Sequence, residues 1–268
     1  MWLRGLSAVA MASVVCACSG AVHRLPAVDQ GNLNLAQTGV QNAGVPQRRA
    51  VNDEEVQDTL RSALDRIRPA ADQLCREMAV GTCTWRFIML PDRSMNASAG
   101  PNGVVTVNRG IVEYAGSQEE VALVIAHEIG HHAANHLATN QRNQVIGSVI
   151  GAVLMGAVGA VASYRSPYGA DITSQAAQSG SQIGAAIGRI SFSKEQEREA
   201  DYLAAVILYR SGMDLDKARA FLVTMARASG RKETGMLDSH PAGPERLAAW
   251  DKAVAEVRAL DGALPKRN

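Results

Sequence analysis

Four of the chain's six histidines, His127, His131, His132 and His136, fall within the stretch VIAHEIGHHAANH. On an α-helix each residue advances about 100°, so His127 and His131, four apart, lie on one face with Cβ atoms roughly 5–6 Å apart. Such a pair can offer two imidazole nitrogens to a single Zn²⁺ ion. Glu128 sits beside them, within reach of water at the metal's exchangeable position. By the same arithmetic His132 is rotated roughly 140° from His127, and His136 roughly 140° from His131. That excludes both as ligands of this ion, and they read as packed or hydrogen-bonded helix histidines. A third ligand from the same stretch, in the spacing His-Glu-x-x-His-x-x-Gly-x-x-His, needs Gly and His where the chain has Ala134 and Leu137.

A catalytic zinc usually has three protein ligands and one exchangeable site, so another residue must come from elsewhere. The best candidate is Glu197 in EREAD. It shares a helical face with Asp201, and one carboxylate of such a pair can bind metal while the other supports the first helix from behind the ligands. Taken alone, these acids read as part of a solvated charged face, with Lys194, Glu195 and Arg198 nearby. The histidine pair favours the metal.

HEIGHH followed by FSKEQEREADYLA resembles the gluzincin metallopeptidase family of HtpX, Oma and the CAAX prenyl endopeptidases, and within it the periplasmic lipoprotein members of the LoiP type. Upstream, NASAGPNG (Asn96, Ala97, Ala99, Pro101, Gly103) fits the family's Asn-Ala-x-Ala-x-Pro-x-Gly. Downstream, HPAGPER fits its His-Pro-x-x-x-x-Arg through His240, Pro241 and Arg246. The resemblance covers about residues 84–250, and four motifs in order are far more specific than a lone His-Glu-x-x-His. It implies one Zn²⁺ held by His127, His131 and Glu197, with Glu128 as the base and Asp201 supporting the ligands. It also places His240 and Arg246 near the site, as candidates to meet the developing oxyanion. His240 in the metal's fourth position would give a self-inhibited resting state. Asn96, Ala97 and the strand after them are expected to offer a sheet edge on which an extended peptide adds as another strand.

The expected activity is zinc-dependent endoproteolysis of unfolded or misfolded envelope proteins, in quality control alongside envelope assembly partners. A competing expectation is a zinc-stabilised, non-catalytic binding or chaperone-like module at the outer membrane. Glu128 speaks against it, because metal binding alone has no need of that carboxylate. A hydrolase acting on esters or small peptides through the same metal pair is a third expectation.

The elements that must position these residues suggest an α+β, mainly α-helical, zincin-like domain with a small β-sheet on the active-site helices. A helix is expected from Asn52, with Val56, Leu60, Leu64, Ile67 and Leu74 on one face and a bend at Pro69. TWRFIML and GVVTVN flank the turn-rich PDRSMNASAGPN and predict short strands. Ser117 and Glu120 form a capping box before a long helix through His136. A second helix runs from near Ser193 to Gly212, and two more lie near 214–229 and 244–260.

The formal net charge of +1 argues against a nucleic-acid partner. Residues 1–18 read as a secretory signal peptide. Their last four, VCAC, resemble a bacterial lipobox, which predicts lipidation of Cys18, membrane attachment through that lipid and, with Ser19 following, an outer-membrane lipoprotein facing the periplasm of a Gram-negative cell. Residues 19–51, rich in Gln, Asn, Gly and Pro, read as a flexible tether, 52–262 as the zinc metallopeptidase domain and 263–268 as a tail. Cys75 and Cys83 would meet an oxidising compartment and are expected to pair, the alternative being two buried small hydrophobes. The uncharged run 145–163 is long enough to cross a bilayer. A single crossing would separate His127 from Glu197, so a soluble or surface-lying helical pair is expected over 145–190.

Overall fold

The computed structural model describes residues 20–79, 83–143, 192–228, 240 and 243–268, with Val145, Val149, Val153 and Gln178. Cys18, the signal segment, Pro241 and nearly all of the expected helical pair at 145–190 lie outside the described residues. The chain divides into two units, and the account below concerns the one made of residues 21–138 and 191–268. Its elements are α1 (Gln30–Asn42), α2 (Asp53–Met78), β1 (Arg86–Leu90), β2 (Ala97–Gly100), β3 (Val104–Asn108), α3 (Arg109–Tyr114), α4 (Gln118–Ala133), α5 (Lys194–Arg210), α6 (Leu215–Ala228) and α7 (Pro244–Ala259).

The Asn52 side chain accepts from the Glu55 N–H at 2.8 Å, and Asp53, Glu54 and Glu55 place negative charge on the first turn of α2, where the helix dipole favours it. Val56, Ala63, Ile67, Leu74 and Met78 bury one face of that helix, which continues through Pro69. Ala79 ends it in the left-handed region, at φ 54°. The Sγ atoms of Cys75 and Cys83 are joined, with Cα atoms 5.7 Å apart, tying the end of α2 to the approach to β1.

The sheet has the order β1-β3-β2, with β1 parallel and β2 antiparallel to the central strand. Between β2 and β3 the chain turns at Gly103, whose φ of 73° suits glycine, and a Cβ there would lie 2.1 Å from the Thr84 carbonyl oxygen. Among the described residues no strand pairs with the outer edge of β2.

Val121 to Ile129 of α4 are buried throughout, because the helix packs against α2, α5, α6 and the sheet. The expected continuous helix through His136 is corrected: α4 ends at Ala133, Asn135 adopts φ 57°, and helical residues resume at His136. Asparagine enters the left-handed region more readily than most residues, which lets the chain break there. Ser193 opens α5 with a reciprocal capping box to Gln196, and the helix is buried from Glu199 to Leu208.

The tether expected over 19–51 is also corrected. Asp29 caps α1, whose Ala36 and Val40 are buried against α6 and α7, while Leu25, Val28 and Leu33 pack on the same core. The C-terminal tail docks as well. His23 bridges Arg267, Arg24 N–H donates to the Lys266 carbonyl at 2.8 Å, and Asn268 N–H donates to that of Val22 at 3.0 Å. The result is an α+β, mainly helical fold with its small sheet beside the histidine-bearing helix. Among the described residues no helix is long and apolar enough to cross a membrane.

Candidate metal centre

His127 and His131 project from one face of α4, and their Nε2 atoms lie 3.0 Å apart. Glu197 reaches the same point from α5, with Oε2 at 3.5 Å from His127 Nε2 and Oε1 at 3.4 Å from His131 Nε2. The two helices approach closely because α4 carries Gly130 at the contact, where a Cβ would meet the Ala200 carbonyl oxygen at 2.8 Å and its Cα at 3.1 Å.

His240, far along the sequence, joins them. Its Nδ1 is 2.8 Å from Glu197 Oε1 and 3.2 Å from His127 Nε2. One ligand atom from each of His127, His131, Glu197 and His240 lies within 4.8 Å of the others, and all four residues are buried. Three imidazoles and a carboxylate converging on one point form a donor set suited to a tetrahedral, borderline-soft divalent ion. Glu197 Oε2 is buried without a hydrogen-bond partner, a costly arrangement that a bound cation would relieve. The residues therefore fit a metal ion.

Glu128 is fully buried beside this group, with neither carboxylate oxygen hydrogen-bonded. Its Oε1 lies 3.7 Å from His240 Nε2.

Asp201, one turn beyond Glu197, accepts from His127 Nδ1 at 2.8 Å. It also accepts the Arg246 fork, Nε and Nη2 each at 2.8 Å. Arg246 Nη1 lies 3.4 Å from Glu197 Oε2. The guanidinium expected to face an oxyanion is thus committed to Asp201, which accepts it bidentately from behind His127, and to Glu197 of the converging group. It holds the site's carboxylates, whereas His240 lies among the converging rings.

The charges follow from this packing. Burial and the Arg246 charge push the His127 ring down, but Asp201 and Glu197 outweigh them and raise it to about 9. Burial holds His131 well below the ordinary imidazole value, against the pull of Glu197. Burial raises Glu197, yet its contacts with His127, His131 and His240 carry it far below the ordinary carboxylate value.

The two histidines excluded as ligands stay outside the group of four. His132 Nε2 faces the Val104 carbonyl oxygen at 3.1 Å, linking α4 to β3. His136 lies with its Nδ1 2.9 Å from His131 Nδ1 and its Nε2 3.0 Å from Glu199 Oε2. Phe192 stacks on the His131 ring, centroids 3.7 Å apart. Sequence reasoning overlooked Glu199 and Phe192, although Glu199 lies inside the quoted EREAD.

Ala97 begins β2, which packs against α4. The Asn96 carbonyl accepts from Asn108 N–H at 2.9 Å, and Asn96 Oδ1 is buried without a hydrogen-bond partner.

Among curated proteins the chain is similar to the beta-barrel assembly-enhancing protease of Escherichia coli (strain K12), 32% identical over 179 residues that make up 66% of this chain and 36% of the relative. The protein of the same name from Yersinia pestis is 31% identical over 166 residues, 61% of this chain and 33% of the relative. The match thus spans about a third of these relatives' length. The family description of peptidase family M48 matches residues 62–254, a span that holds both histidines of the pair, Glu128, Glu197, Asp201, His240 and Arg246. Matched over most of its length, the chain belongs to peptidase family M48, a family of metallopeptidases.

Proposed function

We propose that this chain is a zinc-dependent endopeptidase that cuts unfolded or misfolded envelope proteins. The observation that supports it best is the convergence of His127, His131 and Glu197 beside a buried carboxylate, Glu128, that has no hydrogen-bond partner. Structural metal sites have no use for such a group. When bound, zinc would polarise the scissile carbonyl and lower the pKa of a water molecule toward 7. Glu128 takes the proton from the attacking water and passes it to the leaving nitrogen. Asp201 accepts the His127 Nδ1 proton, which leaves Nε2 free to ligate, and Arg246 keeps Asp201 and Glu197 ionised.

The outer edge of β2, starting at Ala97 beside Asn96, is the surface on which an extended peptide adds as a strand. Backbone pairing of that kind selects unfolded segments. The name of the relatives, beta-barrel assembly-enhancing protease, supports an envelope role with assembly partners. Attachment to the outer membrane through a lipid on Cys18 belongs to the same proposal. His240 would complete the donor set in a resting state and give way to substrate, a reading supported by its buried place 2.8 Å from Glu197.

The test is casein degradation by the full-length protein and its Glu128→Gln and His240→Ala variants, with zinc content measured for each. Glu128→Gln is expected to abolish cleavage while keeping zinc, and His240→Ala to raise the rate. Cleavage surviving in Glu128→Gln would overturn the role of that residue. Zinc-loaded wild type and His240→Ala that both leave every polypeptide intact would favour the binding module.

A further inference from the structure

A second buried polar set continues from His131 to residues 22 and 23. Glu199 on α5 is fully buried and accepts four hydrogen bonds. Val22 N–H donates to its Oε2 and His23 N–H to its Oε1, both at 2.9 Å. The His23 ring reaches Oε1 through Nδ1 at 2.6 Å, and His136 reaches Oε2 through Nε2 at 3.0 Å. His136 in turn meets His131, Nδ1 to Nδ1, at 2.9 Å.

The proton order in this chain is fixed by its ends. A His131 ring that ligates through Nε2 carries its proton on Nδ1 and donates it, so His136 must accept there with a bare Nδ1. The His136 proton then sits on Nε2 and is donated to Glu199, which as a carboxylate only accepts. His127 has a carboxylate directly behind it, Asp201, whereas His131 reaches its carboxylate through an intervening imidazole. That carboxylate is held in turn by residues 22 and 23, a short strap fastened to the C-terminal residues by the Arg24 to Lys266 and Asn268 to Val22 backbone bonds.

We infer that His136, Glu199 and the strap at Val22 and His23 are positioning residues for His131, fixing its tautomer and ring orientation, so that docking of residues 22–24 on residues 266–268 tunes metal affinity. The inference rests on the proposed metal reading and concerns groups that touch neither metal nor substrate. Partners of this kind behind a metal-ligating histidine typically account for about 10–100-fold in metal affinity or activity. Glu199→Gln keeps the shape but presents an amide whose nitrogen cannot accept from His136, His23 or the backbone. His23→Ala removes one donor and leaves both backbone donors in place.

The experiment uses full-length wild type, Glu199→Gln and His23→Ala. Zinc affinity is measured by chelator competition, the visible spectrum of the cobalt-loaded protein reports ligand geometry, and Tm of the metal-free protein reports folding. The expected result is zinc affinity about 10–100-fold lower for Glu199→Gln, a smaller loss for His23→Ala, and a cobalt spectrum shifted in both. Variants with lower Tm but wild-type affinity and spectrum would reduce the strap to a structural role and overturn the inference. If Glu199→Gln does not fold, His23→Ala decides alone by the same two readouts. Wild type that binds neither zinc nor cobalt would overturn the metal reading itself, a result distinct from variants that bind as wild type does.

Discussion

Asp201 accepts from the His127 ring and from both arms of a guanidinium, so one buried carboxylate orients His127 and anchors Arg246 at once. Burial opposes its ionisation, but the charges of Arg246 and His127 hold it below the ordinary carboxylate value. Asp201→Asn preserves size and removes the charge, and its amide nitrogen would face a donor on Arg246 or His127. Zinc affinity is expected to fall about 10–100-fold with little change in helix content, measured by chelator competition and circular dichroism. Unaltered affinity would sink the orienting role. At this scale the sequence was informative where spacing alone sufficed: four-residue separations paired His127 with His131 and Glu197 with Asp201. It was silent where contact depended on a turn. His136 lies opposite His131 because Asn135 breaks the helix, and no helical projection contains that rotation.

Between elements, the decisive contact is α4 on α5 at Gly130. Gly130→Ala would drive a methyl into the Ala200 backbone, which cannot swing aside as a side-chain end can. The expected cost is about 1–3 kcal/mol of stability, from overpacking. A greater relative loss of zinc affinity is expected, because the same displacement parts Glu197 from the histidines. Wild-type Tm and zinc affinity in this variant would show the helices able to separate freely. The start of α4 gives a pH prediction. Burial raises the Glu120 carboxyl above its ordinary 4.5, against the Gly116 N–H and Ser117 hydroxyl that lower it. An acid with a raised folded pKa binds more protons folded than unfolded, so it adds stability as pH falls through that value, and the gain is complete below 4.5. The Tm of wild type relative to Glu120→Gln is therefore expected to rise from pH 7 toward pH 4.5. A pH-independent difference would refute it. Helix starts at Asn52, Ser117 and Ser193 were legible because caps are local chemistry.

Across the whole molecule, residues 20–51 give the clearest case of long-range packing overriding local composition. Their Gln, Asn, Gly and Pro content reads as a solvated tether, and only widely spaced apolar residues betray a docked segment. Ala36 and Val40 gain burial because α6 and α7 leave a surface for them, and Glu199 gains its partners because the strap covers it. A docked segment and a tether differ in how fast a protease finds them: a tether is cut at once, whereas a packed segment is cut only after it opens. Trypsin acting on the native protein is thus expected to cleave after Arg24, Arg48 and Arg49 no faster than it cleaves the helical core. Ala36→Asp places an unpaired charge in a fully buried position and should cost several kcal/mol locally, releasing α1. In that variant the same bonds are expected to be cut at least about tenfold faster, a factor that 1.4 kcal/mol of lost docking suffices to produce. Rapid cleavage of wild type at Arg24 would return residues 20–51 to the status of a tether. It would also leave Glu199 without the strap that holds it behind His131.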